Sequence, residues 1–447
     1  LNPKSIRIST HPQRTRGFLP ALLIGPLLLF ILCSSSFVTN SEASNRPLAW
    51  VALGPGGQSV VRAVTKQDVC PDLRVETQPY PLQIRSRQSS SSFPILICEA
   101  LLPSQTTLVT VEGVLLSLPK SQPEKIVILG DTGCRVQNRL AQACNDLDAW
   151  PFARIARSAA AWRPNLVIHL GDYFYRDSPC PIGNVSCAGS PWGDNWAVAQ
   201  ADFFSPARPL LQVAPWIFVR GNHEACGRTG AAWFRLLDPR PLREQCTDAT
   251  QPYVVPFGEQ DLFVLDTTNA HDSIPHPDSV TSFARQFSTL AGQSKRPAWL
   301  LSHKPVWAFG SLGQEDGVDK LFRTNPTLQA AAQQSFAQTI ELILSGHLHK
   351  VQFLQFAQGK PLQFVVGNGG ALLDPPLSMP VVGMGIADRQ VTRAEGLAEF
   401  GYVTLERDGD GWILTPRDVY GAAQKICQLK NEGLTCAPQE RAVRPRQ

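Results

Sequence analysis

Five stretches of this 447-residue chain share one design. Each has an apolar run, then a small residue, then a side chain able to bind a metal ion. They are Gly130-Asp131-Thr132-Gly133, Gly171-Asp172-Tyr173-Phe174-Tyr175, Gly221-Asn222-His223-Glu224, Leu300-Leu301-Ser302-His303 and Gly346-His347-Leu348-His349. Singly each is a weak signal: a Gly-Asp pair is common, and a lone histidine is more often structural. Together they bring oxygen and imidazole donors to one edge of a sheet. Four of the eight histidines lie in these segments, which argues against chance grouping.

The elements that must position these groups are strands. Leu166-Val167-Ile168, after the Pro164 break, is a short apolar run of the kind buried on both faces of a parallel sheet. Gly171 lets the chain turn. Asp172 then stands past the strand's carboxyl end, where open α/β sheets place their ligands. Tyr175 can point back at the same spot. Ile126–Leu129, Pro215–Val219, Leu262–Asp266, Ala298–Ser302, Ile340–Ser345 and Gln363–Val366 read as further strands. Helices are expected near Pro151–Trp162, Ser279–Leu290 and Leu328–Ala337. Asp408-Gly409-Asp410-Gly411 between Tyr402–Leu405 and Trp412–Thr415 is a hairpin signal. Strands alternating with helices, then a strand-rich second half, predict an α/β sandwich of two sheets flanked by helices.

In front of this core, residues 44–120 read as short strands at Trp50–Leu53, Ser59–Val64, Leu82–Arg87, Phe93–Cys98 and Thr107–Leu115, which suggests a small β-sandwich-like domain. The core domain is expected over 121–420. Residues 176–214 read as a long polar and aromatic insertion, and 421–447 as a C-terminal extension with a disulfide.

The formal charge is +4, and Lys4, Arg7, Arg14 and Arg16 against Glu42 place +3 of it in residues 1–43. The rest is close to neutral, so no polyanion-binding surface and no nucleic-acid partner are expected. Residues 1–43 resemble an export signal: a basic start, an apolar run from Phe18 to Cys33, and a cleavage site at Ser41-Glu42-Ala43. An uncleaved anchor is the alternative. A secreted or periplasmic location follows, with no stable membrane association once the signal is removed. Ten cysteines remain after Cys33. An even count in an exported chain predicts disulfides, and pairing of sequence neighbours is the working hypothesis.

The five motifs, in this order, resemble the purple acid phosphatase branch of the calcineurin-like metallophosphoesterases, over about residues 125–350. The resemblance implies a two-sheet α/β/β/α metallophosphoesterase sandwich preceded by the small all-β domain. Most of that superfamily has Asp-x-His in the first motif. Here Gly133 replaces the histidine, and Tyr175 supplies the missing ligand. A phenolate forms far more readily on a trivalent than on a divalent ion, so the exchange argues for iron(III). The resemblance gives one ion, iron(III), the ligands Asp131, Tyr175, His349 and the bridging Asp172. It gives a divalent ion (iron, zinc or manganese) the ligands Asn222, His303, His347 and Asp172. It further implies hydrolysis of a small phosphomonoester by a metal-bound hydroxide, with Asp172 and His223 as catalytic residues.

His223 would act as general acid or stabilise phosphate. Glu224 would orient His223, or else face solvent. Arg135 could meet phosphate. His169 reads as core. His271 and His276 could line the substrate mouth or form a solvated loop, and Trp192, Trp196 and Trp307 could wall the cleft or pack. Two rivals stay open: a phosphodiesterase or nucleotide pyrophosphatase on the same metal core, and a metal-containing binding protein without turnover.

Overall fold

Alternation along the central strands stacks the molecule into layers. In Lys125–Leu129, Ile126 and Ile128 face one apolar core while Val127 and Leu129 face another. The computed structural model describes residues 47–437 apart from 90, 139, 244, 316, 317 and 378. The expected export signal, with Cys33, lies outside the described residues.

The first sheet has eleven strands. At its centre Lys125–Leu129, Leu166–His169 and Trp216–Phe218 run parallel, with Ile128 beside Ile168 and Ile168 beside Ile217. The second sheet has eight strands. Its centre is also parallel: Gln260–Leu265, Ala298–Ser302, Ile340–Ser345 and Gly359–Val366. Ile126, Ile128, Ile168 and Ile217 of the first sheet meet Leu262, Trp299, Leu301, Leu344 and Phe364 of the second in one core.

Helices cover the outer faces. Phe152–Ala161 buries Phe152, Ile155, Ala156 and Ala159 against the first sheet, the spacing of one helical face. Pro277–Gln293 buries Val280, Phe283, Ala284, Phe287 and Leu290 against the second. Beside it Pro326–Gln334 starts at Asn325, whose side chain accepts from Leu328 N at 3.0 Å and caps the helix. The fold is therefore a helix–sheet–sheet–helix sandwich with a β-rich front.

That front is not self-contained, because part of it extends the first sheet. Leu48–Leu53 pairs in parallel with Trp216–Phe218, and Ser59–Thr65 and Leu96–Leu101 extend the same sheet. Leu73–Val75, Gln78–Tyr80, Val109–Val111 and Val114–Leu115 form a four-stranded sheet packed on that extension through Val61, Leu73, Val109 and Val111. The boundary expected near residue 120 is thus crossed by sheet pairing, and residues 47–437 lie in one compact unit. The physical reason is edge protection: a free sandwich would expose a strand edge that the core sheet instead pairs. The C-terminal segment behaves alike. Cys427–Lys430 pairs with Gly411–Asp418 at the other edge of the sheet.

The expected insertion is only half a loop. From Trp196 to Leu211 the chain is helical, with a widened π-helical turn at Gln200–Phe204. Phe203, Phe204, Leu210 and Leu211 are buried in the first core. A hairpin of Ala308–Glu315 and Val318–Thr324 was not anticipated. Five disulfides join Cys70–Cys98, Cys134–Cys144, Cys180–Cys187, Cys226–Cys246 and Cys427–Cys436, the neighbour pairing expected.

Candidate metal centre

Three neighbouring strands of the first sheet end in Asp131, Asp172 and Asn222. Two neighbouring strands of the second end in His303 and the His347–His349 pair. All five segments meet at one edge of the sandwich. Asp131, Asp172 and His303 are fully buried, or nearly so, and offer ligand atoms that all lie within 4.8 Å of one another.

Tyr175 stands at the centre of this cluster. Its hydroxyl lies 2.8 Å from Asp131 Oδ1, 2.7 Å from Asp172 Oδ2 and 2.8 Å from His349 Nε2. A phenol has one proton to donate, so two carboxylate acceptors at this distance are not both satisfied by hydrogen bonding alone. Burial, with Asp131 and Asp172 beside it, pushes the phenol well above its ordinary pKa. Ionisation there requires a cation, and a cation among these atoms resolves the crowding. The residues present therefore fit a metal ion.

The histidines are oriented from behind, as metal ligands are. His303 Nδ1 sits 2.8 Å from Leu170 O, and its Nε2 faces Asn222 Oδ1 at 3.1 Å and Asp172 Oδ2 at 3.2 Å. His349 Nδ1 sits 2.6 Å from Leu372 O and turns Nε2 to the cluster. His347 Nε2 meets Asp272 Oδ1 at 3.3 Å, which leaves Nδ1 as its other ring nitrogen. Burial lowers the His303 pKa, but the Asp172 charge wins and raises it to about 9. That pair holds a proton where a cation fits. Burial alone would raise the Asp172 carboxyl; His303 and His223 outweigh it and hold it well below the usual range.

The backbone is bent to make this possible. Asp131, Asp172 and His347 have φ of 57°, 59° and 71°, the left-handed region that non-glycine residues rarely enter. Such conformations cost about 1–3 kcal/mol each and concentrate at functional sites. Gly221 permits the close approach: a Cβ there would lie 2.1 Å from Asp172 Oδ1. Gly133 is equally restricted. A Cβ there would lie 2.6 Å from Tyr173 O, 2.9 Å from Tyr175 N and 3.0 Å from Tyr175 Cδ2. The Tyr175 segment occupies the space of the side chain that position 133 lacks.

Two buried acids hold the loops. Asp202, from the widened helical turn, accepts from Tyr175 N at 2.9 Å and Cys134 N at 3.3 Å, and pairs with Arg176. The supposed insertion thus supports the tyrosine. Glu224 is fully buried and does not face solvent. Nor does any of its hydrogen bonds reach His223. Its carboxylate accepts from Gly221 N and Asp172 N at 3.0 Å, Tyr173 N at 2.8 Å and Phe174 N at 3.3 Å. Both sequence readings of Glu224 are therefore corrected: four converging backbone donors claim it. Burial and the Asp172 charge push its pKa up to about 8.

His223 stacks on Tyr175 with ring centres 3.7 Å apart, and its Nε2 is 3.9 Å from Asp172 Oδ2. Burial lowers its pKa well below the ordinary value, although Asp172 opposes the shift. Arg228 Nη2 lies 2.7 Å from His223 Nδ1 and is ion-paired with Asp177.

The remaining candidates separate clearly. His169 is buried, 2.9 Å from Thr132 Oγ1 through Nε2, and stacked on Tyr173: a core residue. His271 and His276 stack on each other at 5.2 Å in an exposed loop, and Asp272 between them reaches His347. Asp272 also accepts from Lys304 Nζ and Asn325 Nδ2, both at 2.7 Å. Trp196 and Trp307 are buried and packed, while Trp192 is exposed. Cys226, Cys246 and Asp248 also lie together, but the two sulfurs form a disulfide.

Comparison with known proteins agrees with this geometry. The profile of the calcineurin-like phosphoesterase family matches residues 124–351, just over half of the chain. The structure is similar to that of the purple acid phosphatase from yellow lupin (Lupinus luteus) seeds, with a TM-score of 0.54 and 15% identity over 85% of this chain and 73% of that one. It is similar to PhoD, again at a TM-score of 0.54, with 13% identity over 88% of this chain and 93% of that one. No curated protein sequence matches. The five strand-end motifs fall inside the matched segment, and by that match the chain belongs to the calcineurin-like phosphoesterases, hydrolases of phosphate esters.

Proposed function

We propose that the chain is an exported phosphatase that hydrolyses phosphomonoesters at a pair of metal ions. The observation that carries this reading is the Tyr175 hydroxyl, set among three ligand atoms in space that a side chain at 133 would need. One ion, iron(III), would take Asp131, Tyr175, His349 and the shared Asp172. The other, divalent iron, zinc or manganese, would take Asn222, His303, His347 and Asp172. Such a pair supplies an activated water and neutralises charge that develops on the phosphate.

The chain's own residues do the rest. Asp172 lies between the two ligand groups, with Oδ2 near both Tyr175 and His303. Its backbone N–H is held by Glu224. His223, kept neutral by burial, presents an N–H to a phosphate oxygen rather than delivering a proton in the resting protein. Export is supported by the five disulfides, which persist in oxidising compartments. No helix among the described residues is long and apolar enough to cross a membrane.

The test is hydrolysis of a chromogenic phosphomonoester and the matching diester from mildly acid to neutral pH, with Asp172→Asn as control. Monoester turnover lost in the control supports the proposal; turnover of the diester alone refutes it. The metal assignment has its own readout. Iron(III) bound to Tyr175 gives a visible charge-transfer band that Tyr175→Phe abolishes, and a colourless active wild type would remove the iron(III).

A further inference from the structure

One wall of the site is not explained by metal binding. Arg135 follows Asp131 on the same loop, and its backbone is fixed twice. Its N–H donates to Gln142 Oε1 at 3.0 Å, and its carbonyl accepts from Gln142 N at 2.8 Å. The preceding residue, Cys134, is tied to Cys144. Yet the half-buried guanidinium has no acceptor among the described residues, and its Nε is buried without a partner.

Arg228 also stands beside His223. Its Nη2 lies 2.7 Å from His223 Nδ1 and 2.9 Å from His223 Nε2. Asp177 holds its Nε and Nη2, while Nη1 has no acceptor among the described residues. Both guanidiniums act electrostatically on His223, and Arg135 also acts on Asp177. Apart from Asp172 of the candidate metal set, two guanidiniums here face one carboxylate, Asp177. Arg85, by contrast, has its fork fully engaged: its Nε, Nη1 and Nη2 reach Glu99 and the carbonyls of Arg235, Arg240, Phe234 and Asp238. A guanidinium whose loop is pinned but whose donors are free has the form of an anion receptor.

We propose that Arg135 and Arg228 form a clamp on the unesterified oxygens of a phosphate dianion, and that this clamp selects phosphomonoesters over phosphodiesters. The inference rests on the phosphatase reading of the same site. A monoester dianion carries two charges over three unesterified oxygens. A diester carries one charge over two, with a substituent where the third oxygen would be. Guanidinium forks bind paired anionic oxygens with two charge-assisted hydrogen bonds, and they lose that advantage when one oxygen is esterified.

The test uses the metal-loaded full chain with Arg135→Gln, Arg228→Gln and Arg228→Lys. Calorimetry measures binding of inorganic phosphate, and kcat/KM is measured for an aryl phosphomonoester and its diester. Thermal unfolding checks that each variant is folded; Arg135→Gln removes no side-chain hydrogen bond among the described residues and serves if Arg228→Gln does not fold. Arg135→Gln is expected to weaken phosphate binding about tenfold or more. It should lower kcat/KM for the monoester about tenfold more than for the diester. Arg228→Lys, which keeps the charge but not the fork, should fall between wild type and Arg228→Gln. Unchanged phosphate affinity, or equal losses on both esters, overturns the clamp while leaving a monoester-cleaving wild type a phosphatase. Turnover of the diester alone by the wild type overturns both. If neither ester is turned over, the phosphatase reading fails, and loss or retention of phosphate binding in Arg135→Gln decides the clamp by itself.

Discussion

Gly133→Ala tests the link between the missing side chain and the placement of the Tyr175 hydroxyl. The added Cβ would stand 2.6 Å from Tyr173 O and 2.9 Å from Tyr175 N, where ordinary contact begins at 3.4 Å. Both atoms are backbone, so no rotamer change relieves the clash. The segment must recede by about 0.8 Å at Tyr173 O, the difference between those two distances. It is held in place by Asp202 on Tyr175 N and by Val136 N on Tyr175 O, at 2.9 and 3.0 Å. Overpacking against such restraints costs about 1–3 kcal/mol. The same shift carries the Tyr175 hydroxyl from 2.7–2.8 Å to beyond hydrogen-bond range of Asp131, Asp172 and His349. Denaturant unfolding of the metal-free chain measures the first effect, and titration with metal measures the second. A cycle with Tyr175→Phe separates them. If Gly133→Ala acts through the phenol, the two substitutions are strongly non-additive in metal affinity. A Gly133→Ala protein with unchanged midpoint and unchanged metal affinity would refute the reasoning, as would two fully additive losses.

Other expectations follow from the supporting groups. Glu224→Gln turns an amide NH₂ toward two of the four backbone donors, and should destabilise the chain by about 2–4 kcal/mol in urea unfolding. In the metal-free protein that gap should narrow as pH rises. The folded pKa near 8 lies above the ordinary 4.5, so the folded chain keeps this proton longer; the stabilisation is full below about pH 4.5 and lost by about pH 8. A wild-type stability curve flat over that window, or one shared by Glu224→Gln, counts against the assignment. Asp272→Asn should weaken metal binding at His347 about 10–100-fold in competition with a chelator. Unchanged affinity would mean that Asp272 serves only Lys304 and Asn325.

What the sequence made legible was the part written locally. An apolar run followed by Gly and Asp announces a strand end, and Asp131 and Asp172 stand where that pattern puts them. The helix at Phe152–Ala161 shows in the spacing of Phe152, Ile155, Ala156 and Ala159. The rest depends on contacts distant in sequence. Nothing near residue 50 signals that Leu48–Leu53 will lie beside Trp216–Phe218, and so the front was read as a separate domain. Asp202 sits in a segment interrupted by Pro206 and Pro209, which hid a helix whose wide turn carries a supporting carboxylate. Asp272 carries no local signal of a role, and only the fold brings it to His347, 75 residues on. The order of motifs pointed to the candidate ligand groups, but Glu224 was misread because its partners are main-chain atoms, which leave no mark in a sequence.

The candidate ligand groups are divided between the sheets. Asp131, Asp172 and Asn222 belong to one, and His303, His347 and His349 to the other. A cation held by both halves is a rivet through the sandwich. A cation bound there would tie the two sheets together, so parting them at that edge would cost ligand contacts as well as apolar ones. Large side chains such as Trp299 and Phe364 fill the interlayer between those sheets.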